Sequence, residues 1–218
     1  MRRFEEEFLI LNNTLLQMGS MVAQSIHRGV LAFVERKEDP AHQVLRDETQ
    51  IDEWDIKIDA MAASLIALEQ PVASDMRLVV AAIKISTDLE RMGDLAVSIA
   101  ARAITLMGQP PLRTPIVLTD IASLVESMVL RSLDAFVRRD AALANEVLAS
   151  DNGVDNMRAA IHRQVIEMMR REPDSIERAL DHLITARSLE RIGDHARNIA
   201  EGVIYLVQGI HVRHQPAA

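Results

Sequence analysis

A twelve-residue segment occurs twice in this chain and constrains its fold more than any other feature. LERMGDLAVSIA at residues 89–100 returns as LERIGDHARNIA at residues 189–200, with eight of the twelve positions identical. The similarity extends upstream, where residues 32–52 align with residues 135–155. A period of about one hundred residues is far longer than the 20 to 50 residues typical of solenoid repeats. The sequence therefore predicts a duplicated domain.

Each copy is predicted to form three helices, because apolar residues recur at spacings of three and four. Aromatic residues make up only 3% of the chain, and the apolar content is carried by alanine, leucine, isoleucine, valine and methionine, which suits helix-on-helix packing. In the first copy the apolar stripes cover residues 11–33, 51–68 and 85–106. In the second copy we expect helices at residues 116–139, 141–171 and 174–209.

The segment GQPPLRTP at residues 108–115 separates the two copies. It contains one glycine and three prolines, which are typical of a linker. We therefore predict one three-helix repeat at residues 1–110 and a second at residues 111–218. The expected fold is all-α, with two pseudo-symmetric three-helix bundles and six long helices. Short connections would make sequential helices antiparallel neighbours.

Composition and charge exclude several classes of protein. The net charge of −8 argues against nucleic acid as a partner. The absence of cysteine excludes disulfides, thiolate metal sites and cysteine nucleophiles. The N-terminal residues lack the apolar segment of a signal peptide, and no uncharged apolar run approaches the length of a membrane span.

Acidic residues recur at helical spacing beside the apolar stripes of the first copy. On the second helix they form one row, at Glu48, Asp52, Asp55 and Asp59. On the third helix Glu90 and Asp94 border the same seam between helices. Such a cluster would repel itself unless cations neutralise it, and carboxylates favour magnesium, manganese, iron or calcium. Zinc is less favoured without sulfur or a histidine cluster.

The second copy keeps only part of this pattern. Its corresponding acids are Asp151, Asp155, Glu190 and Asp194. Arg158 and His162 replace the other two acids of the row, and Arg158 would supply an internal positive charge in place of an ion. The spacing is also compatible with solvated acidic faces, or with acids paired to Arg91 and Arg191.

Signatures of catalysis are absent from the sequence. No glutamate is followed by histidine three positions later, as ferritin-like di-metal oxidases require, and there is no Walker-type phosphate loop or nucleophile elbow. A phosphorelay histidine is a weaker interpretation of His27, His182 or His195 than a surface or capping role. We therefore predict no catalytic residues and no organic cofactor. A carboxylate-bridged metal enzyme and a metal-free helical interaction module remain the alternatives.

Three segments carry a resemblance to a known family. QPVASDMRLV (70–79), ISTDLERMGDLAVSIA (85–100) and ARSLERIGDHARNIAEGVIYLVQG (186–209) resemble the PhoU family, accessory regulators of the phosphate-specific transport system. The resemblance covers essentially the whole chain and implies two three-helix bundles. It also implies metal clusters held by acidic E(D)xxxD motifs. Those motifs map onto Glu48–Asp52, Asp55–Asp59, Glu90–Asp94, Asp151–Asp155 and Glu190–Asp194.

The same resemblance implies a function without catalysis. The protein would link the ATPase of a phosphate ABC transporter to a sensor histidine kinase, and would restrain the kinase when phosphate is plentiful. Its metal ions would be manganese, magnesium or iron, with zinc or calcium as further candidates. It would be a cytoplasmic homodimer recruited to the inner face of the membrane through its partners.

Overall fold

A computed structural model describes residues 3–113 and 116–209 of the chain. These residues form six α-helices and one short 3-10 turn, and no strand occurs among them. The prediction of an all-α fold is therefore confirmed. The helices are α1 (Arg3–Glu35), α2 (Glu38–Glu69), α3 (Ser74–Met107), α4 (Thr119–Arg138), α5 (Ala141–Arg171) and α6 (Ile176–Gln208).

The helices pack as two trios that share one core. Helices α1, α2 and α3 contact one another, and so do α4, α5 and α6. The close backbone contacts between the trios join α1 to α4 and α3 to α6. The buried apolar side chains of both trios form a continuous cluster. No helix among the described residues has an apolar stretch long enough to cross a membrane.

The apolar stripe of α2 is only partly buried. Ile51, Ile58 and Leu65 are fully buried, whereas Leu68 keeps 68% of its surface exposed. Trp54 and Met61, fourteen and seven residues before Leu68, are half-buried. These three residues form the edge of the helix, because α2 packs against α1 and α3 through the row centred on Ile58. The expected stripe therefore marks the buried face correctly but extends it too far around the helix.

Two of the three helices of the second bundle begin later than the sequence predicts, whereas α5 has the predicted bounds, Ala141–Arg171. Ile116 and Leu118 are buried in irregular chain ahead of α4, which begins at Thr119. The third helix is preceded by a 3-10 turn at Pro173–Ser175 and begins at Ile176. Proline suits the start of such a turn because its missing N–H would have no partner there.

Small side chains and ion pairs hold the two bundles together. Gly19 of α1 lies under Leu133 of α4, and a Cβ at Gly19 would stand only 2.0 Å from the Cδ1 of that leucine. Between α3 and α6, Arg102 donates to Asp181 across 3.0 Å. His195 and Asp88 form a second pair across the same interface, with 2.8 Å between Nδ1 and Oδ1.

The connection after α3 is bound from both bundles. Arg36, at the end of α1, donates to the carbonyl of Gln109 across 2.5 Å. Arg178 of α6 donates to the carbonyl of Pro110 across 2.9 Å. Arginines from both bundles therefore donate hydrogen bonds to the first residues of the predicted linker.

The glycines of the duplicated motif mark close approach between helices. A Cβ on Gly193 would lie 3.5 Å from Val154, an ordinary contact, whereas a Cβ on Gly93 would lie 3.3 Å from Ile51. We therefore expect Gly193→Ala to stabilise the protein by about 0.5 to 1 kcal/mol, since alanine is the better helix former. Gly93→Ala should gain less because Ile51 must move. Urea unfolding of both variants tests this order, and an equal or larger gain for Gly93→Ala would contradict it.

We expect His182 to make the stability of the bundle interface depend on pH. Its ring packs edge-on against Phe33 with 4.7 Å between centroids, and its Nδ1 lies 2.9 Å from the carbonyl of Arg178. Burial lowers the pKa of His182, and Arg36 lowers it further, although Arg178 and Asp181 oppose the shift. Because the folded state disfavours the charged ring, stability should fall as pH drops below about 6.5, the ordinary histidine pKa.

Unfolding in urea at about pH 7.5 and at about pH 5 measures this dependence, since the two values bracket the ordinary histidine pKa. The variant His182→Phe keeps the ring contact and removes the titration. It should lose less stability than the wild type over that interval. Equal losses in the two proteins would show that His182 does not contribute.

Candidate metal centre

The acids of α2 and α3 face one another across the seam of the first bundle. Burial raises the pKa of Glu48, and the negative charges of Asp52 and Asp94 raise it further. Burial likewise raises the pKa of Glu90, with further increases from Asp94, Asp55 and Asp52 and an opposing decrease from Arg91. Carboxylates on both helices therefore lie close enough to repel one another.

Two neighbouring side chains, Ser86 and Arg91, contact the acids of this seam. The hydroxyl of Ser86 on α3 donates to Asp55 across 2.6 Å, which fixes that carboxylate at the helix interface. Arg91 contacts both Glu90 and Asp94, at 3.2 Å and 3.1 Å. Arg91 is 59% exposed, so water screens much of its charge. Arg91 lowers the pKa of Glu90, but burial and the neighbouring aspartates outweigh this effect.

The six predicted acids of the first bundle differ in exposure and in how close they lie to the seam. Asp52 and Asp59 are exposed, whereas Glu48, Asp55, Glu90 and Asp94 are half-buried. The charges that shift the pKa values of Glu48 and Glu90 are those of the other acids and Arg91, and Asp59 does not contribute. Within residues 3–113 and 116–209, no three histidine, aspartate or glutamate side chains converge closely enough to form a ligand set. The structure thus gathers five of the six predicted acids along one seam and leaves Asp59 at its edge.

The corresponding seam of the second bundle contains two arginines. Arg158 of α5 forms an ion pair with Glu190 of α6, at 2.7 Å. Arg197 of α6 contacts Asp151 of α5 at 3.2 Å and Glu201 at 3.1 Å. Each cation therefore neutralises an acid that the sequence assigns to a metal cluster.

The remaining acids of the second seam still interact. Burial raises the pKa of Asp151, and Asp155 and Asp194 raise it further, while Arg197 lowers it. Burial also raises the pKa of Glu190, which Arg158 lowers and the same two aspartates raise. Asp155 and Asp194 are themselves exposed.

The two seams therefore differ as cation sites. The first offers carboxylate oxygens, exposed at Asp52 and half-buried at the other acids, together with one exposed arginine. Oxygen donors are the ligands that hard cations such as Mg²⁺ or Mn²⁺ prefer, but no three of these acids converge in the described residues. The second holds two built-in positive charges, Arg158 and Arg197, among the same kind of acids. The replacement of Asp55 by Arg158 thus produces the internal ion pair that the sequence suggested.

Sequence reasoning missed two residues of these seams. Ser86 anchors Asp55, and Arg197 neutralises Asp151. Alignment of the two copies could have pointed to both residues, because each differs from its counterpart in the other copy. Arg197 corresponds to Val97, and Ser86 corresponds to Ala186. A search for acidic pairs alone does not examine such differences. Two further histidines of the sequence, His211 and His214, are spaced as HxxH and lie outside the described residues.

The chain matches a known family along both of its halves. The sequence model of the PhoU domain matches residues 15–103 and again residues 118–203. A relative from Pseudomonas aeruginosa, named as a phosphate-specific transport system accessory protein PhoU homolog, is 41% identical over 215 residues. That alignment covers 98% of this chain and 88% of the relative.

Two solved structures have the same fold. The crystal structure of PhoU from Pseudomonas aeruginosa superposes with a TM-score of 0.91 at 39% identity, covering 95% of this chain and all of that one. The phosphate transport system regulatory protein PhoU from Streptococcus pneumoniae gives a TM-score of 0.88 at 28% identity. This second match covers 96% of this chain and 99% of the other.

Proposed function

Because the chain belongs to the PhoU domain family, we propose that it is a non-enzymatic regulator of phosphate uptake. The names of its relatives, as accessory or regulatory proteins of phosphate transport, support this role. We further propose that it links a phosphate ABC transporter to a sensor histidine kinase and restrains the kinase when phosphate is plentiful. In this role it is a cytoplasmic homodimer that reaches the membrane through the transporter ATPase and the kinase.

The acidic seam of the first bundle supports a metal-dependent form of this function. Glu48 and Glu90 lie on different helices, and each has its pKa raised by acids of the other helix. Bound Mn²⁺, Mg²⁺ or iron, with calcium or zinc as further candidates, would neutralise these charges. Glu48, Asp52, Asp55, Glu90 and Asp94 would hold the ions, and the seam would then fix α2 against α3.

The second bundle holds less metal, or none, in this proposal. Arg158 and Arg197 already neutralise Glu190 and Asp151. The acids predicted there as ligands therefore serve first as partners of arginine. A regulator built in this way has one bundle whose rigidity depends on cations and one that is held by its own side chains.

Charge reversal at the seam tests the metal assignment. The double variant Glu90→Lys with Asp94→Lys should lose the manganese of the first bundle after incubation and dialysis, because ammonium groups replace two carboxylates of α3. The matched control is Asp39→Lys with Glu53→Lys, which makes the same charge change at exposed positions of α2. Elemental analysis of both proteins decides the question. Equal metal content in the seam variant and the control would refute the site.

Capture experiments test the signalling role separately. The full-length protein, tagged and expressed in phosphate-replete cells, should retain the transporter ATPase and the sensor kinase. The seam variant should retain less of both than the control variant if metal binding shapes the docking surface. Absence of both partners from the wild-type eluate would contradict the proposed link, whatever the metal content.

A further inference from the structure

A cavity of about 640 Å³ lies between α3 and α6, on the interface between the bundles. Residues of α3 such as Val80 and Ala81 form one wall, and residues of α6 such as Gly202 and Leu206 form the other. Phe136 of α4 also lines it. The cavity is separate from the acidic seams, which lie between α2 and α3 and between α5 and α6.

The duplication gives a reason for the space at this position of the interface. Arg102 and Asp181 form an ion pair between α3 and α6. In the internal repeat their counterparts are Gly202 and Ala81, and both of these line the cavity. A Cβ added to Gly202 would meet no atom within 4 Å. The cavity therefore occupies the position at which the other half of the interface holds an arginine and an aspartate.

Two cationic and two acidic side chains line the cavity, and the acids are the ones that other side chains engage. Arg77 and Lys84, seven residues apart on α3, both line it and are exposed. In the part of the chain that the structure describes, the side chain of neither residue makes a hydrogen bond or an ion pair. The acidic lining residues are already engaged, since Asp88 pairs with His195 and Glu201 accepts from Arg197. A ligand would therefore meet two available positive charges.

We propose that this cavity binds a small amphipathic anion. Its volume lies within the range of about 300 to 1,000 Å³ that small-molecule sites occupy. The apolar body of the ligand would pack on Val80 and Leu206, and its anionic group would reach Arg77 and Lys84. Because each bundle supplies one wall, the bound molecule would hold the bundles in one relative arrangement. This proposal is independent of the metal assignment.

A pair of fluorescent probes tests both parts of this chemistry. Anilinonaphthalene sulfonate carries an apolar body and one anionic group, and N-phenylnaphthylamine is its uncharged counterpart. The full-length wild type should bind the sulfonate saturably and at least about tenfold more tightly than the uncharged probe. The double variant Arg77→Glu with Lys84→Glu should lose this preference while it binds the uncharged probe as before.

Filling the cavity tests its location. The double variant Ala81→Asp with Gly202→Arg places in the cavity the ion pair found at Arg102 and Asp181, and should abolish saturable binding of both probes. Gly202→Leu alone should weaken binding at least about tenfold and serves if the double variant does not fold. Gly108→Leu is the matched control, because Gly108 also has open space for a side chain but lies outside the cavity. Circular dichroism confirms that each variant is folded.

Three outcomes would overturn the proposal. One is the absence of saturable sulfonate binding to the folded wild type. Another is equal binding by the wild type and the filled variants, which would place the probe elsewhere. The third is occupation of the cavity by a second copy of the chain. In that case the wild type would self-associate in sedimentation experiments and the filled variants would not. Probe binding to the wild type would also fall as protein concentration rises.

Discussion

Truncation of Leu89 to alanine is expected to lower the free energy of unfolding by about 2 to 5 kcal/mol. Leu89 is fully buried on α3, and its Cδ2 lies 3.8 Å from the point where a Cβ on Gly19 of α1 would stand. Removal of its branched end leaves a void between tightly packed helices, and the backbone cannot close such a void without disturbing its neighbours. Leu189→Ala should have an effect of the same size, since Leu189 is equally buried on α6.

Urea unfolding followed by circular dichroism measures both variants. Leu9→Ala is the matched control, because Leu9 is 54% exposed and its truncation should change stability by no more than about 0.5 kcal/mol. We expect one transition in every case, since α3 packs on α6 and α1 packs on α4 within a continuous core. A second transition confined to the mutated half would show that the bundles unfold separately.

Replacement of Arg158 and Arg197 is expected to convert the second seam into a cation site like that proposed for the first. The double variant Arg158→Asp with Arg197→Val gives this seam the residues found at Asp55 and Val97. Without metal the variant should be less stable than the wild type, because Glu190 and Asp151 lose their partners. With manganese at one hundred times its dissociation constant, each new ion should restore about 2.7 kcal/mol.

Elemental analysis and urea unfolding with and without manganese test this conversion. The double variant Arg158→Ala with Arg197→Ala is the control, since it removes the two cations without supplying the extra carboxylate. It should bind less manganese than the aspartate variant and recover less stability. If the aspartate variant takes up no more metal than the wild type, the arginines do not account for the difference between the seams.

Most of the predicted fold follows from the duplicated motif. Leu89, Ile99 and their counterparts Leu189 and Ile199 fall on one face of a helix by spacing alone, and all four are buried. The predicted start of the helix was less accurate where the chain enters the second bundle. Leu118 is apolar and follows the linker, so its residue type is compatible with the first turn of a helix. Burial of Leu118 in the irregular segment before α4 depends on neighbours that lie far away in the sequence.

The acidic rows were equally visible in the sequence, but their electrostatic environment was not. Asp55 and Asp59 look alike as members of one row, yet Ser86 of α3 holds Asp55 while Asp59 is exposed. Whether a carboxylate at helical spacing meets an acid, an arginine or water depends on the facing helix. The spacing within one helix contains no information about that partner.

Helix periodicity and the places of the acids follow from the sequence, because each is set by residues within a few turns of one another, and the duplication is visible as direct similarity between the two halves. The pairing of Arg197 with Asp151, and the cavity left where Gly202 and Ala81 replace an ion pair, were decided by the tertiary structure. Both arise from side chains that meet across helices far apart in the chain. Such contacts depend on the angle and register of packed helices, which local spacing does not specify.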